Sequence, residues 1–219
     1  MIMKKLSIMF IFLSLGMLFS CSKGDSDETP AEQDILQAVD LGLSVKWASH
    51  NVGAKSKYEL GYYFAWGETT PRTNFNESNY KYYKNEKYAD ITNKGKMEID
   101  IMDDAARSNM KGNWRMPTMQ EFEELFNKCA WKWIEKIDNG ILIKGFEVTG
   151  PSNNTIFIPK GERDINNNTY GDCYMSSTIE YDSFYSDHCA VRGLCIEDNR
   201  QNVFWSARFL GNLVRAVCE

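Results

Sequence analysis

Cysteine is the residue best placed to do chemistry in this 219-residue chain, which carries six cysteines and two histidines. Cys21 stands apart from the other five. It follows Leu18-Phe19-Ser20, with a small residue just before the cysteine and an aliphatic one three before it. That is the pattern of a bacterial lipobox. The Cys21 thiol is expected to take a diacylglycerol, the chain to be cut after Ser20, and the new amine to be acylated by a palmitate-type chain. Several acyl chains, at about 0.8 kcal/mol per buried methylene, hold a stable anchor where one does not. The remaining cysteines are Cys129, Cys173, Cys189, Cys195 and Cys218. Disulfides are permitted outside the cytoplasm, and five thiols allow at most two bridges with one left over. No CxxC pair is present and the histidines are His50 and His188 alone, so a zinc site of usual spacing is not supported. No cofactor is implied.

The segment before Cys21 fits an export address. Lys4 and Lys5 precede an apolar run from Leu6 to Phe19, broken by Ser7, Ser14 and Gly16. The run is shorter than the roughly 20 apolar residues a membrane helix needs and matches a secretory signal. Residues 1–20 are therefore expected to be a signal peptide, and 21–37 a lipidated cysteine on a flexible acidic tether. Ser22 to Pro30 has no large apolar residue to bury, so nothing offsets the entropy of ordering it. An acidic stretch at this place resembles the surface-export signal of lipoproteins in some Gram-negative lineages. The expected location is the outer membrane, facing outward; a plain solvated linker is the alternative.

Residues 38–219 are long enough for one domain with its own core. A net charge of −5, from 25 Lys+Arg against 30 Asp+Glu, leaves no basic stripe, which argues against nucleic acid as a partner. Eleven tyrosines and six tryptophans suit an aromatic core or a surface that stacks on sugars or proteins. The segments Asn166 to Tyr170 and Tyr181 to His188 mix Asn, Tyr, Ser and Asp, side chains that combine rigid aromatic contact with adaptable hydrogen bonding. Tyr170, Tyr181, Phe184, Tyr185 and His188 are the expected ligand contacts, for a glycan or a protein.

Periodicity and turn signals give the secondary structure around these residues. Val45 and Trp47 alternate with polar neighbours as in a half-buried strand. Residues 61–68 form an apolar segment bounded by glycines, and Pro71 to Asn93 a long tyrosine-rich loop, best read as a solvated connection whose tyrosines pack on the domain. Helical spacing runs from Ile99 to Met110. Thr118 and Glu121 spell a capping box ahead of the buried stripe Met119, Phe122, Leu125, Phe126 and Cys129. Glu121, Glu123 and Glu124 then read as charges at a helix start rather than paired acids. Trp131 and Trp133 share a strand face, Asp138-Asn139-Gly140 turns it, and Ile141, Ile143, Phe146 and Val148 return past a break at Gly145. Thr155 to Ile158 is a short strand stopped by Pro159, and Leu213 to Val217 is the expected last strand. Two helices among strands make the class α+β. Trp114 reads as a core residue and Arg115 as a buried or bridging one; Arg208 and Arg215 read as strand-end ion-pair partners.

A series of phrases runs through the chain in order: Asp40-Leu41-Gly42-Leu43 with Trp47-Ala48; Asn51-Val52-Gly53-Ala54; Tyr63 to Glu68; Asp104-Ala105-Ala106; Trp114 to Thr118 with Glu121 and Leu125; Cys129 with Trp131 and Trp133; Ser176-Ser177-Thr178; and Arg208, Gly211 and Val214-Arg215. Together they resemble the Fibrobacter succinogenes major paralogous domain. Met175, and Met110-Lys111, depart from the family's usual tryptophan and Trp-Gly. The resemblance covers residues 38–219 and implies a C-type-lectin-like fold with its first and last strands paired and irregular loops at the other end. It implies no catalytic residues. The expected role is a displayed binding module; a structural surface component is the alternative, and retroelement diversification of the C-terminal loops is a variant of the first. Trp114 to Thr118 with Glu121 to Glu123 is also similar to a phrase in formylglycine-generating enzymes, which bind copper through two cysteines. Cys189 and Cys195 are the nearest candidates, but on one extended strand they lie roughly 20 Å apart, and only a turn at Gly193 would join them. The chain is therefore not expected to be an enzyme.

Overall fold

The computed structural model describes residues 35–92, 97–180 and 190–219. Residues 1–34, which hold the expected signal peptide, Cys21 and most of the expected tether, lie outside the described residues. Among the described residues the architecture is α+β, with two α-helices and mostly antiparallel strands.

Strands β1 (Ala38–Val39) and β2 (Lys46–Ala48) open the domain. A small hairpin, β3 (Tyr83–Lys84) and β4 (Lys87–Tyr88), follows inside the tyrosine-rich segment. Helices α1 (Ala105–Asn109) and α2 (Met119–Lys128) come next. An antiparallel meander is made of β5 (Ala130–Asp138), β6 (Ile141–Thr149) and β7 (Thr155–Pro159). The largest sheet comprises β8 (Arg163–Asp164), β9 (Thr169–Glu180), β10 (Ala190–Glu197), β11 (Arg200–Ala207) and β12 (Gly211–Leu213). Its main order is β11-β10-β9-β12, with β8 also on β9 and β12 parallel to β9. The last strand, β13 (Val217–Cys218), pairs with β2, which also carries β1, so both ends of the domain meet in one three-stranded sheet.

Local signals formed what they spell. The Thr118 hydroxyl accepts from the Glu121 N–H while the Glu121 carboxylate accepts from the Thr118 N–H, closing the capping box. Asn139 and Gly140, both at positive φ, turn β5 into β6. The break expected at Gly145 is absent: β6 runs through it, paired with Ile134 and Pro159, and glycine fits there because a Cβ would meet the Ile158 carbonyl at 2.3 Å. Met119, Phe122 and Leu125 of α2 are buried, with Phe122 against Trp47 at 5.4 Å between ring centroids. Around them pack Leu41, Val148, Ile158, Tyr174, Leu194 and Val217. A second cluster holds Phe64, Trp66, Ala105, Ala106, Met175 and Val214. Met175 is thus fully buried core.

Three further expectations change. The helix from Ile99 to Met110 is a 3₁₀ turn, Ile101–Asp103, followed by the short α1. Asp104 divides them, because its carboxylate accepts from the Arg107 N–H at 2.9 Å and so caps α1. Aspartate competes with backbone acceptors in this way and favours a cap over a helix interior. The strand expected at Leu213 to Val217 is two strands, because the chain leaves its parallel pairing with β9 and joins β2 only at Val217. Pro159 ends β7 from inside; β7 is an edge strand, where a missing N–H is tolerated. In the tyrosine-rich segment Tyr80 is buried, with Tyr82, Tyr83 and Tyr88 packed on Ala65 and Phe75, so these tyrosines do face the domain.

Candidate functional site

The start of β9 is crowded with polar chemistry because two glycines let the chain approach itself. The Gly161 N–H donates to the Gly171 carbonyl at 2.7 Å, and a Cβ on Gly171 would lie 2.7 Å from the Glu162 carbonyl. That approach sets β8 against β9 in the register Arg163↔Tyr170 and Asp164↔Thr169. The Arg163 guanidinium then reaches across β9. Its Nε donates to both oxygens of Asp172, at 3.1 and 2.8 Å, and an Nη lies 3.3 Å from the Cys195 sulfur. The same guanidinium lies over the Tyr170 ring at 5.1 Å. Nearby, burial first, then the charges of Asp172 and Asp164, raise the Tyr63 phenol above its ordinary range.

Cys173 and Cys195 face each other directly across the β9–β10 ladder. Their sulfurs and an Asp172 carboxylate oxygen all lie within 4.8 Å of one another. Such a set is within reach of a single ion, but the Arg163 cation already contacts it and opposes a second positive charge. Cys195 therefore has a neighbour that the sequence reading did not give it. Gly193 lies inside β10 opposite Phe204, with no turn, so the route proposed for joining Cys189 to Cys195 is absent. Cys189 itself lies outside the described residues. Cys129, Cys173, Cys195 and Cys218 are free thiols.

Beside Tyr170 the turn from Asp164 to Asn168 is pinned to a second asparagine-rich segment far away in sequence. Asn74 donates to the Asn167 side-chain oxygen at 3.0 Å, the Phe75 N–H to the Asn167 carbonyl at 2.9 Å, and Asn168 to the Phe75 carbonyl at 2.7 Å. Asn168 holds a left-handed φ of 53°, which asparagine tolerates better than most residues. On the other side Asn76 and Asn79 form a reciprocal capping box around the 3₁₀ turn Glu77–Asn79. Around this pinned turn Asn74, Asn79 and Asn166 are exposed and Asn167 and Tyr170 half-buried, with the Arg163 guanidinium over the Tyr170 ring.

Of the expected ligand contacts, Tyr170 follows this turn. Tyr181, Phe184, Tyr185 and His188 lie outside the described residues. The pairing across the fold brings the asparagines at 74 to 79 to the Asn167 turn, a contact that short motifs do not reveal.

The other arginines resolve as follows. Arg115 bridges, making two hydrogen bonds to Glu121 at 2.9 and 2.7 Å and one to Glu219 at 3.2 Å, beside a buried Trp114. Arg208 is buried over Trp66 at 4.9 Å and donates to the Tyr80 hydroxyl and the Ala89 carbonyl. Arg215 is not in the strand-end ion pair expected of it; it is fully buried and donates to Asn51, Ala48 and Phe157.

No family model matches this chain. No curated protein and no solved structure matches it either.

Proposed function

We propose that this chain is a lipid-anchored binding module displayed on the outer membrane, with its ligand face at Asn74, Asn79, Asn166, Asn167 and Tyr170. The observation that carries the reading is the Asn74–Asn167 contact, which joins two asparagine-rich segments at the turn that leads into Tyr170. Side-chain amides offer donors and acceptors together, and a ring beside them gives a sugar or peptide a flat apolar contact. A glycan is the ligand class that best matches amides and a ring on an open surface. The lipobox at Cys21 and the acidic tether support the address. The joining of both domain ends in one sheet fits a module held at its termini. The resemblance to the Fibrobacter succinogenes major paralogous domain belongs to the same proposal, with a C-type-lectin-like fold as the finer description of the α+β architecture.

The test is a glycan array, run with the full-length chain in detergent, alongside protease shaving of intact cells. Wild type is compared with a Tyr170→Ala, Asn167→Ala double variant and with a Tyr181→Ala, Tyr185→Ala variant. Binding lost in the first and kept in the second supports the assignment. Binding that survives the loss of Tyr170 and Asn167 sinks it, and a chain that shaving does not touch removes the outward display.

A further inference from the structure

We propose that Cys173 and Cys195 form a reversible thiol–disulfide site, in which Cys195 attacks, Cys173 resolves, and Asp172 and Arg163 position the two sulfurs. This goes beyond the binding role and does not depend on it.

Register comes first. Directly opposed residues on antiparallel strands have Cα atoms about 4.5 to 5.5 Å apart, inside the span a disulfide bridges. Cys173 and Cys195 are such a pair, so closure needs rotation of two side chains and no movement of backbone. Order comes from the cation. The half-exposed Arg163 brings one Nη to 3.3 Å from the Cys195 sulfur and 3.9 Å from the Cys173 sulfur, so Cys195 is the thiol closer to positive charge. Electrostatics agree with that order. A hydrogen bond from the Cys173 thiol, and after it Arg163, hold the Cys195 thiol below its ordinary value against the effect of burial. The same contact with Cys195, and then burial, push Cys173 far up. Thiolate is the attacking form, so Cys195 is the nucleophile. By contrast, burial and then Glu124 push Cys129 up to about 11, which leaves it a poor competitor.

The oxidant is a disulfide, small or protein-borne. The Cys195 thiolate attacks one of its sulfurs; the oxidant's S–S bond breaks and one thiolate leaves. Cys173 then attacks the Cys195 sulfur of the mixed disulfide. Its proton passes to Asp172, whose oxygen lies 3.4 Å from the Cys173 sulfur, and on to solvent. The second thiolate leaves as the Cys173–Cys195 bond forms. Two electrons pass from the pair to the oxidant, and two protons are released.

The experiment equilibrates the full-length chain in detergent with mixtures of oxidised and reduced glutathione, traps free thiols by alkylation, and maps the peptides by mass. The expected product joins Cys173 to Cys195, disappears on reduction, and needs no variant to be seen. In Cys173→Ser the reaction should stop at a glutathione adduct on Cys195. In Cys195→Ser, Cys173 should stay unreacted. In Asp172→Asn the mixed disulfide should accumulate, with near-ultraviolet circular dichroism confirming that each variant is folded. The proposal is overturned if both thiols of the wild type remain alkylatable throughout, if Cys195 bridges to Cys129, Cys189 or Cys218 instead, or if the adduct forms on Cys173.

Discussion

Nε of Arg215 donates to the side-chain oxygen of Asn51 at 2.7 Å, in a place where neither residue meets water. The other guanidinium nitrogens donate to the carbonyls of Ala48 at 2.9 Å and Phe157 at 2.8 Å. Asn51 donates in turn to the Leu60 carbonyl and the Tyr174 hydroxyl. One cation thus ties the terminal sheet to the meander through neutral oxygens. Burial pulls its pKa down to about 10, which keeps it charged at neutral pH. Removing it strands three buried acceptors, so Arg215→Met should cost about 3 kcal/mol. Asn51→Ala should cost about 2 kcal/mol. Because the two residues share one network, the double variant should lose at least about 1 kcal/mol less than the sum. Urea denaturation of the four proteins measures this, and simple additivity would show that the network is not a unit.

Ser44 and Glu124 carry the pH dependence of the α2 contact. The Glu124 carboxylate accepts from the Ser44 hydroxyl at 2.5 Å and N–H at 3.0 Å, and from Lys128 at 2.8 Å. The Lys128 hydrogen bond first, then that of Ser44, hold its pKa at about 2 against an ordinary 4.5. A lowered carboxyl pKa stabilises the fold above the unfolded value and loses that contribution as pH falls through the folded one. The pairing is near the surface, so Glu124→Gln should cost about 1 kcal/mol at neutral pH. The gap from wild type should narrow below pH 4.5 and close near pH 2. Denaturation across that window checks it; a gap that widens on acidification contradicts the assignment.

These two relationships mark what could be read in advance. Thr118 and Glu121 are three residues apart and Asn139 and Gly140 are adjacent, so the physics that makes a cap or a turn is contained in the text. Asp104 shows the limit of periodicity, since apolar spacing on both sides of it hides a carboxylate that caps the backbone. Arg215 lies 164 residues from Asn51 and Asn74 lies 93 from Asn167. Cys173 meets Cys195 only through the register of β9 on β10. Register depends on the whole sheet, and no short motif encodes it. The α+β class was therefore legible, together with α2. The contact between the Asn74 and Asn167 segments and the thiol pair were not.

Gly193 makes that register possible by closeness rather than by turning. A Cβ there would lie 2.2 Å from the Tyr174 carbonyl and 2.5 Å from the Phe204 ring. The neighbouring β9 backbone cannot yield without shifting Cys173, which pairs two residues away. Gly193→Ala should therefore cost about 2 to 3 kcal/mol. It should also slow formation of the Cys173–Cys195 bridge under the glutathione conditions above. Thermal melting and peptide mapping report the two effects separately, and full stability in the variant would show that the sheet relaxes freely there.

The amide pair Asn74–Asn167 separates order from affinity at the proposed ligand face. Asn167 also donates to Asp164 at 2.7 Å, while its own N–H lies 3.3 Å from the same carboxylate, so its side chain holds the turn as well as the partner segment. Asn74 is exposed and contributes one donor. Asn74→Ala should therefore leave global stability within about 0.5 kcal/mol of wild type. Asn167→Ala should cost about 1 kcal/mol. In both, the Phe75 N–H, which donates to the Asn167 carbonyl, should exchange with solvent faster, because the two segments part locally before the domain unfolds. The exchange rate at Phe75 reads loosening directly, and the Tyr170 ring gives a second probe on the same face. If Phe75 remains as protected in both variants as in wild type, the backbone bonds alone hold the segments together. The asparagine side chains are then free to meet a ligand, and their loss should appear in binding and not in exchange.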